Sequence, residues 1–459
     1  MTSDRKLVVI GAGISGLTSA YLLHRNGYDV TVLEEKDKVG GSIETVLEEG
    51  FLFDRGPNSA LETTPIISQL VKDLKLEDEL VYANKEGNKR YILRNGELHA
   101  LPMSPPAFIK SKLFSGKAKL RLLTEPFIGR STDGYYQSIA EFVTRRLGSE
   151  FLDYAINPFV AGVYAGRPEE LSVKSAFPKL YALEEDYGGL ILGAIRSMRK
   201  RKKRAEQSKQ SANMLSFKSG MKVLPEAIAQ HLGKRVKLST KVVSVRKTSE
   251  GKYGVTYDDG DQKITLLTDV VLSTIPAYKA AELFGHFDEN LDKHLNEIYY
   301  PPVLVLYFVY NKKDVGQALD GFGFLIPSKE EKSFLGAIWS SVIFPNRADD
   351  DTASFTLFVG GSRDPGFVYD NENAVINRVR DEFEAIMKIR GKPTLTAKRF
   401  WEKAIPQYKL GYVEHENYFD HFEKDNKGIF LSGNYRGGIS VGDCMKNAEV
   451  VVNKIKSLN

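Results

Sequence analysis

The residues best suited to chemistry stand near the start of the chain, where Gly11-Ala12-Gly13-Ile14-Ser15-Gly16 follows the apolar run Leu7-Val-Val-Ile10 without a gap. Gly-x-Gly-x-x-Gly alone says little, because glycine-rich turns are common. Its context says more. The first glycine permits a tight turn, the second lets the backbone approach a pyrophosphate, and the third allows close packing of helix on strand. The helix N-terminus then presents free N–H groups to the anion. An apolar stripe of Ile14, Leu17, Leu22 and Leu23 runs to Asn26-Gly27, after which Tyr28 to Leu33 alternates as a second strand ending in Glu34. A carboxylate there, eighteen residues after Gly16, accepts from a ribose 2′-hydroxyl and repels a 2′-phosphate. The unit predicts a dinucleotide site.

Two further glycine clusters bear on which dinucleotide. Glu35 runs through Gly40-Gly41-Ser42, and Gly56-Pro57-Asn58-Ser59 follows shortly; both extend a backbone cradle along a long ligand. Near the other end, Ile429-Phe-Leu431 feeds Ser432-Gly433-Asn434 and then Gly437-Gly438-Ile439-Ser440-Val441. A second strand-to-helix turn of this kind suits the ribityl phosphate of a flavin, so FAD is expected rather than NAD. No second nicotinamide fingerprint follows, which leaves O2 or a quinone as the expected acceptor. The seven histidines show no His-Glu-x-x-His or comparable spacing, so no metal site is expected. No side chain presents itself as an acid-base catalyst.

These residues need a large scaffold, and 459 residues supply roughly three domain-sized units. Apolar residues at 42% and charged residues at 27% exclude disorder, collagen and coiled coil. The longest apolar run, Val303 to Tyr310, reads as a buried strand and falls short of the roughly 20 residues a membrane helix needs. One cysteine, Cys444, excludes a disulfide and a thiolate cluster, and a cytoplasmic protein is expected. A net charge of +5 gives no ground for a nucleic-acid partner. Residues 104–195 read mostly as helices, Val236 to Leu267 as a meander, 300–362 as strand-rich, and 371–389 as one amphipathic helix. The run Arg196 to Lys209 holds eight basic residues against Glu206 alone. It reads either as a dock for anionic lipid headgroups on the inner face of a membrane or as a solvated loop.

Leu33-Glu34, Gly40-Gly41 and the Gly433 turn together resemble the FAD-dependent amine-oxidase superfamily. Within it the chain resembles the oxygen-dependent protoporphyrinogen oxidases, which include bacterial coproporphyrinogen oxidases. The more specific pieces are Asn95 to Pro102, Gly162-Val-Tyr-Ala-Gly166 with Glu170-Leu-Ser172 and Ala176-Phe-Pro178, Ile405-Pro-Gln-Tyr408 with Gly411, and Gly433 to Cys444. The resemblance implies an α/β flavoprotein with a discontinuous, Rossmann-like FAD-binding domain of residues 1–75, 215–275 and 400–459. It implies a mixed-sheet substrate domain of 76–103 and 276–399, and a helical lobe of 104–214 that is a candidate to face a membrane.

The implied activity is the six-electron oxidation of a porphyrinogen to a porphyrin in haem biosynthesis, with O2 as acceptor. Protoporphyrinogen IX is favoured over coproporphyrinogen III. Carried over by residue, the FAD contacts are Gly11, Ala12, Gly13, Ile14, Ser15 and Gly16, Glu34 and Glu35, Gly41 and Ser42, and Gly56, Pro57, Asn58 and Ser59. Val242 brackets the adenine, and Asn434, Ile439, Ser440 and Val441 line the flavin. Arg90 corresponds to an arginine that holds a propionate, with a plain surface arginine as the alternative. Phe159, Gly162, Phe322 and Leu325 correspond to pocket walls, while Ala161 stands where the animal enzymes have an arginine. An amine or polyene oxidase of the superfamily, or a flavin- and porphyrin-binding protein without turnover, is the competing reading. A homodimer is left open.

Overall fold

A computed structural model describes residues 5–85, 87, 89–196 and 213–458. Leu7, Val8, Val9 and Ile10 are all buried, as both faces of a parallel strand should be. They form the centre of a five-stranded parallel sheet in the order Val236–Lys237, Asp29–Leu33, Lys6–Ile10, Val270–Ser273, Ile429–Leu431. The sheet thus draws its strands from the beginning, middle and end of the chain. Leu7 and Val9 enter a core shared with the helices Ile14–Arg25 and Val441–Lys456, through Leu17, Ala20, Met445 and Val452. Val8 and Ile10 enter the opposite core, where Val245, Tyr253 and Val255 of a three-stranded antiparallel sheet (Lys241–Lys247, Tyr253–Asp258, Lys263–Thr268) meet them.

Val236 departs from the expected meander. It pairs in parallel with Val32, and Lys237 with Leu33, because that edge of the parallel sheet is open: the Glu34 N–H donates to the Lys237 carbonyl at 3.0 Å. The meander begins only at Lys241.

A seven-stranded mixed sheet runs in the order Leu395–Trp401, Val303–Asn311, Thr352–Gly360, Gly336–Ile338, Gly321–Leu325, Lys89–Arg94, Glu97–Ala100. Its neighbours are antiparallel except Gly321–Leu325 and Lys89–Arg94, which are parallel. Leu306, Phe308 and Tyr310 pack on the helix Glu372–Met387 through Val379 and Phe383. Val303, Val305 and Tyr307 face the other way, toward Phe53, Ala161 and Ala165.

The helical lobe holds the helices Pro105–Lys110, Gly116–Leu122, Ile139–Leu147, Asn157–Tyr164 and Pro178–Tyr187. Ser138 and Glu141 close a reciprocal capping box. Arg146, fully buried, ties the lobe together: it donates to Glu125 at 3.1 Å, to Glu184, and to the carbonyls of Ile128 and Gly188, both at 3.0 Å. Within the stretch read as helical, Leu152–Ile156 is a π-helical turn between the α-helical segments Ser149–Phe151 and Asn157–Tyr164. Pro158 has no N–H to give the Tyr154 carbonyl, which favours the wider ladder. No helix among the described residues is long and apolar enough to cross a membrane. Of the basic run, Arg196 is exposed at the end of the described lobe, and 197–209 lie outside the described residues.

Candidate cofactor and substrate site

The turn Gly11 to Gly16 is shaped by contacts that only glycine permits. Gly11 has φ +100°, and a Cβ on Gly16 would stand 2.1 Å from the Gly11 carbonyl oxygen. The helix that follows has Gly13 as N-cap, with no capping side chain and no acid in its first turn. Nothing on that end competes with an anion for the dipole and the free N–H groups. Gly13 faces Gly40 and Gly41: the Gly40 N–H donates to the Ala12 carbonyl at 2.8 Å, and a Cβ on Gly41 would stand 3.2 Å from the Gly13 Cα. The paired glycines let the two backbones pack closely, at positions where a side chain would collide.

Glu34 is buried, and its carboxylate is anchored at both oxygens, accepting from the Ala12 N–H at 2.7 Å and the Lys36 N–H at 3.1 Å. Two lone pairs remain for ribose hydroxyls. Thr240 fixes the other side of this residue, accepting from the Glu34 N–H at 3.2 Å and donating its own N–H to the Glu34 carbonyl at 2.8 Å. Val242 follows two residues on, buried and next to a bulge in its strand. Glu35 is exposed and lies near Tyr278 instead.

Gly56 stacks on the preceding loop so closely that a Cβ there would meet the Ser42 carbonyl oxygen at 1.9 Å. Pro57, Asn58 and Ser59 follow it, half-buried. At the other end of the chain Ser440 caps the helix Val441–Lys456, its Oγ accepting from the Asp443 N–H at 3.1 Å. Gly442 in that first turn comes against Thr63 and Leu61. Thr274 joins the two glycine turns: its hydroxyl lies against the Ile10 and Gly11 carbonyls, at 2.9 and 3.2 Å, and its own carbonyl faces Gly433.

Tyr408 clasps the C-terminal turn. Its hydroxyl donates to the Asn434 carbonyl and accepts from the Gly438 N–H, both at 2.9 Å. Tyr412, stacked on it at 4.3 Å, donates to the Tyr435 carbonyl at 2.6 Å. Burial drives both phenols well above their ordinary pKa, so they stay protonated donors. Neither Thr274 nor this clasp was legible as a role; the only sign was Tyr408 within Ile405-Pro-Gln-Tyr408.

The expected substrate residues gather along one wall. Arg90 stacks on Phe322 at 5.8 Å, and Phe322 sits in the bulge where its strand joins that of Arg90. Gly162 abuts Leu325, whose Cδ2 lies 2.6 Å from where a Cβ would be. Phe159, one helical turn before Gly162, packs on Phe177 and remains 41% exposed, and Val163 is 39% exposed, an apolar face left open. Of these residues Phe322 also lines a small cavity, together with Asn58, Ser59, Ile338 and Arg347. Gln407 braces the wall from behind, donating to the Tyr164 carbonyl at 2.8 Å.

The profile of the flavin-containing amine oxidoreductases matches residues 14–454. Protoporphyrinogen oxidase 2 of Arabidopsis thaliana is 33% identical, over 99% of this chain and 95% of its own length. Coproporphyrinogen III oxidase of Bacillus subtilis is 28% identical over 98% of each chain. The fold is shared with a crystal structure from Exiguobacterium, provisionally named protoporphyrinogen oxidase, at a TM-score of 0.81, 22% identity and full coverage of both chains.

Proposed function

Because the chain belongs to the flavin-containing amine oxidoreductase family and is an FAD-dependent oxidoreductase, we propose that it is a porphyrinogen oxidase of haem biosynthesis, converting protoporphyrinogen IX to protoporphyrin IX. The observation that carries the reading is the apolar wall of Phe159, Gly162, Phe322 and Leu325, with Arg90 stacked on Phe322, which also shares a small cavity with Asn58 and Ser59. FAD, when bound there, supplies a two-electron acceptor for hydride. The chain supplies placement.

The Gly11–Gly16 turn holds the pyrophosphate and Glu34 accepts from the ribose. Gly41, Ser42, Gly56, Pro57, Asn58 and Ser59 extend the cradle, and Glu35 borders it. The Val242 backbone brackets the adenine, and Asn434, Ile439, Ser440 and Val441 line the flavin. Arg90 pairs with a propionate while the aromatic and leucine side chains sandwich the flat macrocycle and exclude water. One arginine on this wall suits the two propionates of protoporphyrinogen better than the four of coproporphyrinogen. Six hydrogens leave the substrate in three steps, and each step reduces one O2 to H2O2.

The test is an aerobic assay with each porphyrinogen separately, following porphyrin fluorescence, alongside flavin bleaching without oxygen. Turnover of protoporphyrinogen at least about tenfold faster in kcat/KM, about 1.4 kcal/mol, supports the reading. No turnover and no bleaching with either substrate overturns it in favour of amines, polyenes or a binding protein.

Peripheral membrane contact belongs to the same reading. Ile109, Leu120, Leu123 and Phe127 of the lobe are 72%, 67%, 69% and 89% exposed, apolar surface of the sort that enters a headgroup layer. Co-sedimentation with anionic vesicles that is unchanged when these four are replaced by serine would remove it.

A further inference from the structure

Two imidazoles 121 residues apart meet away from the flavin turn. His294 Nδ1 lies 2.8 Å from His415 Nδ1, and the Glu297 carboxylate brings a third ligand atom within 4.8 Å of both. His294 and Glu297 lie one turn apart at the end of the helix Glu289–Asn296, and His415 lies in the first turn of Tyr412–Asp425. Their rings are held: His294 stacks on Tyr418 at 4.4 Å, and His415 meets the edge of Tyr412 at 5.4 Å. Both imidazoles are half-buried and Glu297 is exposed, which gives an ion an entry path. Asp288 lies near His294, and Glu414 is engaged by the Tyr136 hydroxyl. Among the described residues, the cation that pairs with Glu297 is Lys293, at a loose 3.9 Å and 68% exposed.

We propose that His294, His415 and Glu297 form a site for a borderline transition-metal ion of the Zn2+ class, with water as fourth ligand. Two imidazoles and a carboxylate are a donor set that Zn2+ prefers over the hard cations. At Zn–N distances of about 2.0–2.1 Å, tetrahedral ligation separates the two nitrogens by about 3.3 Å. The rings therefore part by about half an ångström as the ion displaces the proton they share. The expected absence of a metal site followed from local spacing, and no local spacing reports a pair assembled from two helices. The ion would staple these helices at a point joined to the flavin turn, since Tyr412 touches His415 and holds the Tyr435 carbonyl. The inference does not depend on the identity of the substrate.

The test titrates the FAD-loaded enzyme, freed of metal with a chelator, with ZnCl2 by calorimetry at neutral pH. The wild type is expected to bind one equivalent, with Zn2+ raising the temperature of flavin release. The double variant His294→Ala/His415→Ala is expected to bind at least about tenfold more weakly and to lose that rise. Glu297→Gln, a surface change that leaves folding intact, is expected to weaken binding as well. Flavin content measured in chelator confirms that the variants compared are folded. No saturable binding by the wild type, or unchanged affinity in either variant through ions held elsewhere, overturns the site.

Discussion

Asp54 and Arg347, 293 residues apart, form a buried ion pair at 3.1 Å in which the side chains are 2% and 3% exposed. The pair crosses from the hairpin Thr45–Asp54 to the loop beyond Ser340–Ile343, and both residues line the small cavity that Asn58, Ser59 and Phe322 also border. Asp54 also accepts from Thr45 Oγ1 at 2.6 Å and the Met221 N–H at 2.9 Å, and Arg347 donates to Ser216 Oγ at 2.8 Å. Burial pushes the Asp54 carboxyl up, and Arg347 with these donors pulls it back. The loop Gly56–Ser59 begins two residues beyond this anchor.

Arg347→Met is therefore expected to destabilise the protein by about 3–5 kcal/mol, because it strands a buried carboxylate. Asp54→Leu/Arg347→Met is expected to lose less than the sum of the two single changes. Urea unfolding of the four members of the cycle measures the coupling; additive losses would mean that the pair does not act as one unit.

Two glycine substitutions are expected to separate cofactor from substrate. Gly16→Ala drives a methyl into the Gly11 carbonyl at 2.1 Å, a backbone atom that cannot yield, and the purified protein is expected to lack flavin. Gly162→Ala meets only the end of the Leu325 side chain, at 2.6 Å, which can turn aside. It is expected to keep flavin and thermal stability while raising KM for the porphyrinogen. Equal KM would place the substrate elsewhere.

Tyr408→Phe removes one hydroxyl and leaves the Asn434 carbonyl and the Gly438 N–H without that partner. The cost of about 1–3 kcal/mol falls on the turn proposed to line the flavin, so FAD should bind about five- to 150-fold more weakly. Recovery of flavin fluorescence on dilution reads the change, and unaltered affinity would show that the clasp is not needed.

The helical lobe is expected to loosen in acid. Burial raises the Glu184 carboxyl, but hydrogen bonds from Arg146, the Ser131 N–H and Arg145 outweigh it and hold the group below its ordinary 4.5. A carboxyl depressed in the folded state contributes stability that is whole above 4.5 and lost as pH falls through the lower folded value. Hydrogen exchange over residues 125–190 is expected to accelerate below pH 4.5, and this added pH dependence should vanish in Glu184→Gln.

The strand-helix-strand unit of the first glycine turn was legible because its determinants are local. Gly11 to Gly16 and Glu34 belong to one continuous strand-helix-strand unit, in which glycine sterics and hydrophobic periodicity dictate the geometry without help from distant chain. The buried strand Val303–Asn311, the long helix Glu372–Met387 and the last strand Ile429–Leu431 were legible for the same reason. Tertiary structure decided the rest. Val236 chose an open sheet edge over the meander. Arg90 acquired Phe322, Gly162 acquired Leu325, Asp54 acquired Arg347, and His294 acquired His415. Each of these contacts closes a loop of more than a hundred residues, and only the packing of the whole chain can offset the entropy of doing so. Local periodicity can therefore announce a glycine turn between strand and helix, while the side chains proposed to wall a substrate, anchor the loops and ligate a cation are brought together by the fold.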